Sequence, residues 1–164
     1  MQTLLWNLFF VLATLAVILL LAGRVGWLAG TPPADLGVAE GRLKAPSNTP
    51  NSVSSQADLW PNHPQREAAR IAPLTMRGDA AATMARLQAA VVALPGARIV
   101  TVRADYLQAE FTTALLGFVD DAEFWLDPAA GVVQVRSASR IGHGDMGVNR
   151  ARIETLRERL AGLP

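Results

Sequence analysis

The chain has 164 residues, a formal net charge of +1 and no cysteine. That length leaves room for one domain of ordinary size, and the near-neutral charge excludes a global field that would recruit nucleic acid. Without cysteine there is no disulfide, thiol nucleophile or thiolate metal site, and with only His63 and His143 to offer imidazole, neither a metal centre nor a cofactor is expected.

Residues 1–27 read as a membrane anchor. From Leu4 to Ala22 no side chain is charged, and Asn7 and Thr14 are the only polar interruptions. About 20 helical residues cross the ~30 Å hydrocarbon core, and Trp6 and Trp27 stand near the two ends, where amphipathic rings favour the interface. The rival is a cleaved signal peptide, but a basic leading region is missing, the apolar run is long for one, and no clear small-residue cleavage site follows. The expected partner is therefore the lipid bilayer through residues 4–23, in a single pass, with another membrane protein as a second candidate partner. Arg24, Arg42 and Lys44 lie on the C-terminal side of the span, which by itself favours a cytoplasmic domain, although Asp35 and Glu40 dilute that signal.

Residues 28–65 are rich in Gly, Pro, Ser and Asn and read as a linker or extended arm in which prolines break any helical or strand pattern. An α+β domain over 66–164 follows. A helix is predicted from a cap at Asp79, with Met84, Leu87, Val91 and Leu94 as its apolar stripe and Pro95-Gly96 as its stop. Arg98–Arg103 and Tyr106–Thr112 form a predicted hairpin that buries Val100, Val102, Leu107, Ala109 and Phe111 on one face. Phe118–Leu126 and Val132–Ser137 form a second, turning at Pro128–Gly131. That register sets Phe124 opposite Val135, Leu126 opposite Val133 and Glu123 opposite Arg136, the last pair on the face away from the core. A final helix starts at or shortly after Asp145 and runs to Leu160, with Asn149, Ile153, Leu156 and Leu160 in line. Arg150, Arg152, Glu154, Arg157, Glu158 and Arg159 are assigned to its surface. The expected domain is thus helix, four-stranded antiparallel sheet, helix, with one face of the sheet covered.

Polar residues concentrate between strand and helix. Gly142, Gly144 and Gly147 suggest a tight loop that, with Arg140 and the helix N-terminus, could hold an anion; the alternative is a structural turn in which Asp145 caps the helix and Arg140 pairs with Asp120 or Asp121. Ser139, His143 and Asp145 supply the residue types of a serine hydrolase, but no Gly-x-Ser-x-Gly elbow surrounds the serine. Asp120, Asp121 and Glu123 are dense enough for a cation or for acid–base work, but Asp120 should face away from the other two. No catalytic residue is assigned. The candidate ligand-binding set is Asp120, Asp121, Glu123, Arg136, Ser137, Ser139, Arg140, Asp145, Asn149 and Arg150.

Four segments carry a resemblance to a known family: Pro50-Asn51-Ser52-Val53-Ser54-Ser55; Tyr106-Leu107-Gln108-Ala109-Glu110-Phe111; Phe118-Val119-Asp120-Asp121-Ala122-Glu123-Phe124; and Arg136-Ser137-Ala138-Ser139-Arg140-Ile141-Gly142, continuing through Asp145, Gly147, Val148, Asn149 and Arg150. Spread from about residue 46 to 160, they resemble the DUF1499 proteins, a domain of unknown function. The resemblance implies no activity. It implies a domain that often follows a membrane segment. It also implies cysteines in relatives where this chain has Ala45 and Ser52, a pair that as a disulfide would favour an extracytoplasmic compartment. The family tends to carry an aromatic residue at His143, which lowers that residue as a base. The resulting expectation is an inner-membrane, single-pass protein whose extracytoplasmic domain is non-catalytic and binds a partner or small ligand at the cell envelope. A hydrolase using the acidic, Ser and His residues, or a structural subunit of a membrane complex, are the alternatives.

Overall fold

A computed structural model describes residues 1–162; the last two residues of the expected domain lie outside the described residues. Helix α1 (Gln2–Arg24) is predominantly apolar and carries one charge, Arg24 in its last turn; Gly23 is its one buried residue. It is long and apolar enough to cross a membrane, a property that signal sequences share. Then follow β1 (Ser52–Ser54), a 3-10 turn (Ala57–Leu59), α2 (Arg66–Ala69), β2 (Leu74–Thr75), α3 (Ala80–Val92), β3 (Ala97–Val102), β4 (Tyr106–Thr112), β5 (Val119–Asp127), β6 (Val132–Ser139) and α4 (Val148–Gly162).

The sheet is antiparallel, in the order β1-β6-β5-β4-β3, with β2 pairing a different stretch of β6. The expected meander is present as β3–β6. Two further strands were not anticipated, because β1 and β2 are too short to carry a period and their partner β6 is far away in sequence. β1 also falls inside the stretch where prolines were expected to exclude strands.

Local chemistry accounts for the elements that the sequence did predict. The Asp79 carboxylate accepts from the Ala82 backbone N–H at 2.7 Å and starts α3, and Met84, Leu87, Val91 and Leu94 bury its inner face. Gly96 ends the connection at φ +72, and a Cβ there would meet Thr112 O at 2.2 Å. The turn at Pro128–Gly131 sets the expected register: Phe124 pairs with Val135, Leu126 with Val133 and Glu123 with Arg136.

The core lies between one sheet face and α3 and α4. Leu107, Ala109, Phe111, Ala122, Phe124, Leu126, Val133 and Val135 meet Leu87, Val91, Ile153 and Leu156 there. Val100 and Val102 were expected in this core but are 41% and 51% exposed. The register slips between Ile99 and Thr101, so Ile99 rather than Val100 stands opposite Ala109 and packs on the core, while Val102 keeps its pairing with Leu107 but is exposed at the end of the edge strand.

The opposite sheet face is covered too. The irregular chain between α1 and β1 runs across it, placing Gly37 N–H on Glu123 and the Ala45 carbonyl on Arg136, with Leu43 fully buried. The expectation of one covered face is therefore corrected: helices cover one side and the arm covers the other.

Candidate functional site

The alternation of β5 and β6 divides the candidate residues between the two sheet faces, because successive side chains in a strand point opposite ways. Asp120, Ser137 and Ser139 face the helices. Asp121, Glu123, Arg136 and Arg140 face the arm.

On the helix side Asn149 is the hub. It is fully buried in the first turn of α4, where its Oδ1 accepts from Ser137 Oγ at 2.6 Å and from Arg152 Nη1 at 2.6 Å. Its Nδ2 donates to Asn51 O (3.1 Å), Ser139 Oγ (3.1 Å) and Asp145 Oδ2 (2.8 Å). Asn51 answers from the start of β1 by donating through its own Nδ2 to Gly142 O at 2.9 Å. Arg152 Nη2 donates to Asp120 Oδ2 at 2.6 Å, and its guanidinium lies 4.3 Å from the Phe111 ring centroid. Arg152 was expected on the surface; instead its i, i+3 relation to Asn149 carries it to the buried face of α4. One network thus ties β1, β5, β6, the β6–α4 loop and α4 together.

Asp145 closes the loop. Its Oδ1 accepts from Gly147 N and its Oδ2 from Asn149 N, each at 3.0 Å, so it holds the start of α4 as anticipated. Burial works to raise its carboxyl, but these backbone donors prevail and hold it below the usual range. The same bonds occupy donors that an anion would need, and Arg140 points to the other sheet face, so the loop does not assemble the anion cradle that its glycines suggested. His143 is exposed and makes no hydrogen bond to Ser139 or Asp145, and the serine-hydrolase constellation is not brought together. Arg150 stands apart and donates to the carbonyls of Ala68 and Arg70 at 3.0 and 2.8 Å.

On the arm side most of the polar groups also pair with one another, although the buried Glu123 Oε2 accepts no hydrogen bond. Arg140 grips Asp121 with Nε and Nη2, both at 2.8 Å, and reaches Glu110 at 2.6 Å, while Arg98 holds the second Glu110 oxygen at 2.5 Å. Burial acts to raise the Glu110 carboxyl, but these two arginines bring it below its ordinary value. Arg140 is itself held more firmly protonated, first by its bond to Asp121. Glu123 is fully buried and accepts from Tyr106 OH at 2.9 Å and Gly37 N at 2.7 Å, while Arg136 Nη1 stands 3.6 Å from its other oxygen. Desolvation raises the Glu123 carboxyl and lowers the Arg136 guanidinium, so each is pushed toward its neutral form. The Glu123–Arg136 contact was expected as an exposed cross-strand pair; the arm makes it a buried one.

Asn51, Tyr106, Glu110 and Arg152 complete these networks and were not singled out as site residues. Two had a readable signal: Tyr106 and Glu110 share the strand parity that puts Glu123 off the core face.

Two cavities of about 250 Å³ flank the networks. One lies under the arm, between Lys44, Ser47, Arg136 and Arg140. The other lies between the β4–β5 and β6–α4 loops, where Phe118, Val119, Ile141, Met146 and Val148 surround Asp120, Ser139 and Asp145.

The architecture is thus an α+β domain behind one long apolar N-terminal helix, its polar clusters built into both sheet faces. A family model described as "Protein of unknown function (DUF1499)" matches residues 42–160, and the chain belongs to that family. No curated protein matches the chain.

Proposed function

We propose that the chain is a membrane-anchored, non-catalytic domain that binds a partner or small ligand at the cell envelope, with the domain on the extracytoplasmic side. One observation carries the reading: helix α1, uncharged up to Arg24, ends in contact with the domain. Gly23 is packed so closely on the β4–β5 loop that a Cβ there would stand 2.5 Å from Leu116 O, and a Cβ on Gly117 would stand 2.7 Å from Gly23 O. A span docked this way holds its domain at the bilayer surface in a defined pose. The non-catalytic part is supported by the engagement of Asp120, Asp121, Ser139, Arg140, Asp145 and Asn149 with one another and with the fold. The extracytoplasmic side is favoured by relatives' cysteines at the positions of Ala45 and Ser52. The chain folds back beside Ser52, whose hydroxyl accepts at 2.8 Å from Ser47 N, two residues after Ala45.

The test is alkaline extraction of membranes from cells making the full chain, combined with C-terminal reporters active on only one side. The reading expects retention with the lipid and activity of the extracytoplasmic reporter. Release by alkali contradicts the anchor, and activity of the cytoplasmic reporter contradicts the orientation.

A further inference from the structure

Large apolar side chains gather where α1 meets the domain. Gly23 is the residue next to the last apolar position of the span, so whatever touches it sits at the membrane surface, and the β4–β5 loop touches it. In that loop Leu115 is 68% exposed, and just beyond the helix Trp27 is 81% exposed. A Cβ on Gly30 would meet Ile141 Cγ2 at 2.8 Å, which brings the β6–α4 loop alongside the same segment. That loop holds Ile141 and Met146, with Val148 following at the start of α4, and the Met146 side chain is wholly exposed on a backbone of φ +51, a conformation that side chains of its size seldom take.

The cavity between the two loops is lined by Ile141, Met146 and Val148 together with Phe118 and Val119. Its polar groups are already committed: Asp120 to Arg152, Ser139 to Asn149, and Asp145 to the start of α4. What remains for an occupant is hydrocarbon surface. At about 250 Å³ the space falls below the roughly 300–1,000 Å³ of sites for whole small molecules. That size suits the end of one flexible chain.

We infer that this face is a second, shallow membrane contact: Trp27, Leu115 and Met146 enter the lipid interface, and the cavity between the loops takes the acyl chain of a bilayer lipid. The inference rests on the anchored reading above and names the partner of that surface. Continuity with the span is the argument for bilayer lipid over any other occupant, because two walls of the cavity adjoin the helix end: Phe118 follows Gly117, which packs on Gly23, and Ile141 packs on Gly30.

The absence of cysteine makes the test clean. Full-length Leu12→Cys, Leu115→Cys, Met146→Cys and Ala130→Cys chains are each labelled with an environment-sensitive fluorophore and reconstituted in phosphatidylcholine–phosphatidylglycerol vesicles. Quenching by lipids spin-labelled along the acyl chain is then compared with quenching by an aqueous ion. Ala130 lies in the β5–β6 turn at the far end of the nine-residue strand β5, about 30 Å away at ~3.3 Å per residue. The inference expects lipid quenching at Leu115 and Met146 several-fold above that at Ala130. If Leu12 is lipid-quenched while Leu115 and Met146 respond like Ala130, the inference is overturned and the anchor stands. Failure at Leu12 as well removes the anchored reading and this one with it. Shielding of Met146 from both quenchers means that protein covers the face, which also overturns the proposal.

Discussion

Arg152 shows how a charged residue becomes part of a core. Its guanidinium is held by Asp120, Ser137, Asn149 and the face of Phe111, so removing it leaves a buried carboxylate without its cation. Breaking a buried pair from one side costs about 3–5 kcal/mol. Arg152→Ala should therefore lower the urea midpoint severely, whereas Glu158→Ala, at an exposed position of α4, should leave it nearly unchanged. A small effect of the first would mean that water already reaches Asp120. The titrating carboxylates add a pH signature. Glu110 and Asp145 are held below their ordinary values of 4.5 and 3.8, so in acid the unfolded chain takes up protons that the folded chain refuses. Their stabilisation is whole above those values and is lost as pH falls through the lower folded values. Glu123 acts in the opposite sense: its folded carboxyl keeps the proton longer, so its contribution declines as pH rises above 4.5 toward its folded value. Glu110→Gln should flatten the acid limb of a stability–pH profile, and an unchanged limb would show that Arg98 and Arg140 do not hold this carboxylate in solution.

Among the elements, the arm and the glycine contacts are the parts the sequence concealed. The β5–β6 pairing was legible because a short turn between two alternating strands fixes the register, and α3 was legible from its cap and stripe. The arm was not, because its proline-rich chain has no period and its anchors are single contacts: Leu43 buried on the arm side, Gly37 on Glu123, Ala45 on Arg136. The site was half legible for the same reason. Register predicted the Glu123–Arg136 pair, but only the arm determines that the pair is buried, and only the helical turn from Asn149 reveals Arg152 as internal. Leu43→Ala should thus behave as a core truncation, costing about 2–5 kcal/mol, although it lies in what reads as a linker. Destabilisation below 0.5 kcal/mol, the range of ordinary surface changes, would contradict the packed arm. Gly96→Ala should also destabilise strongly, since it places a Cβ against Thr112 O on a backbone at φ +72. Val100→Thr, on the bulged edge strand, should be close to neutral. Thermal unfolding of the three variants side by side ranks them directly.

Taken whole, the chain is a sheet with a helical layer on one side, an extended arm on the other, and an apolar helix rooted against one end. The polar residues that first suggest chemistry are the ties between these layers, and the surface left open lies beside the root of α1. The Gly23–Leu116 approach makes α1 and the domain mechanically continuous. Gly23→Val should loosen the domain's pose without unfolding it, which would be read as faster proteolysis in residues 25–48 at an unchanged melting temperature. The central claim is that α1 stays on the chain and holds it in the bilayer. The most direct measurement is the intact mass of the protein recovered from alkali-washed membranes. The account predicts the full 17.5 kDa chain in the lipid fraction. A shorter species that has lost residues of α1, found in the soluble fraction, would contradict it.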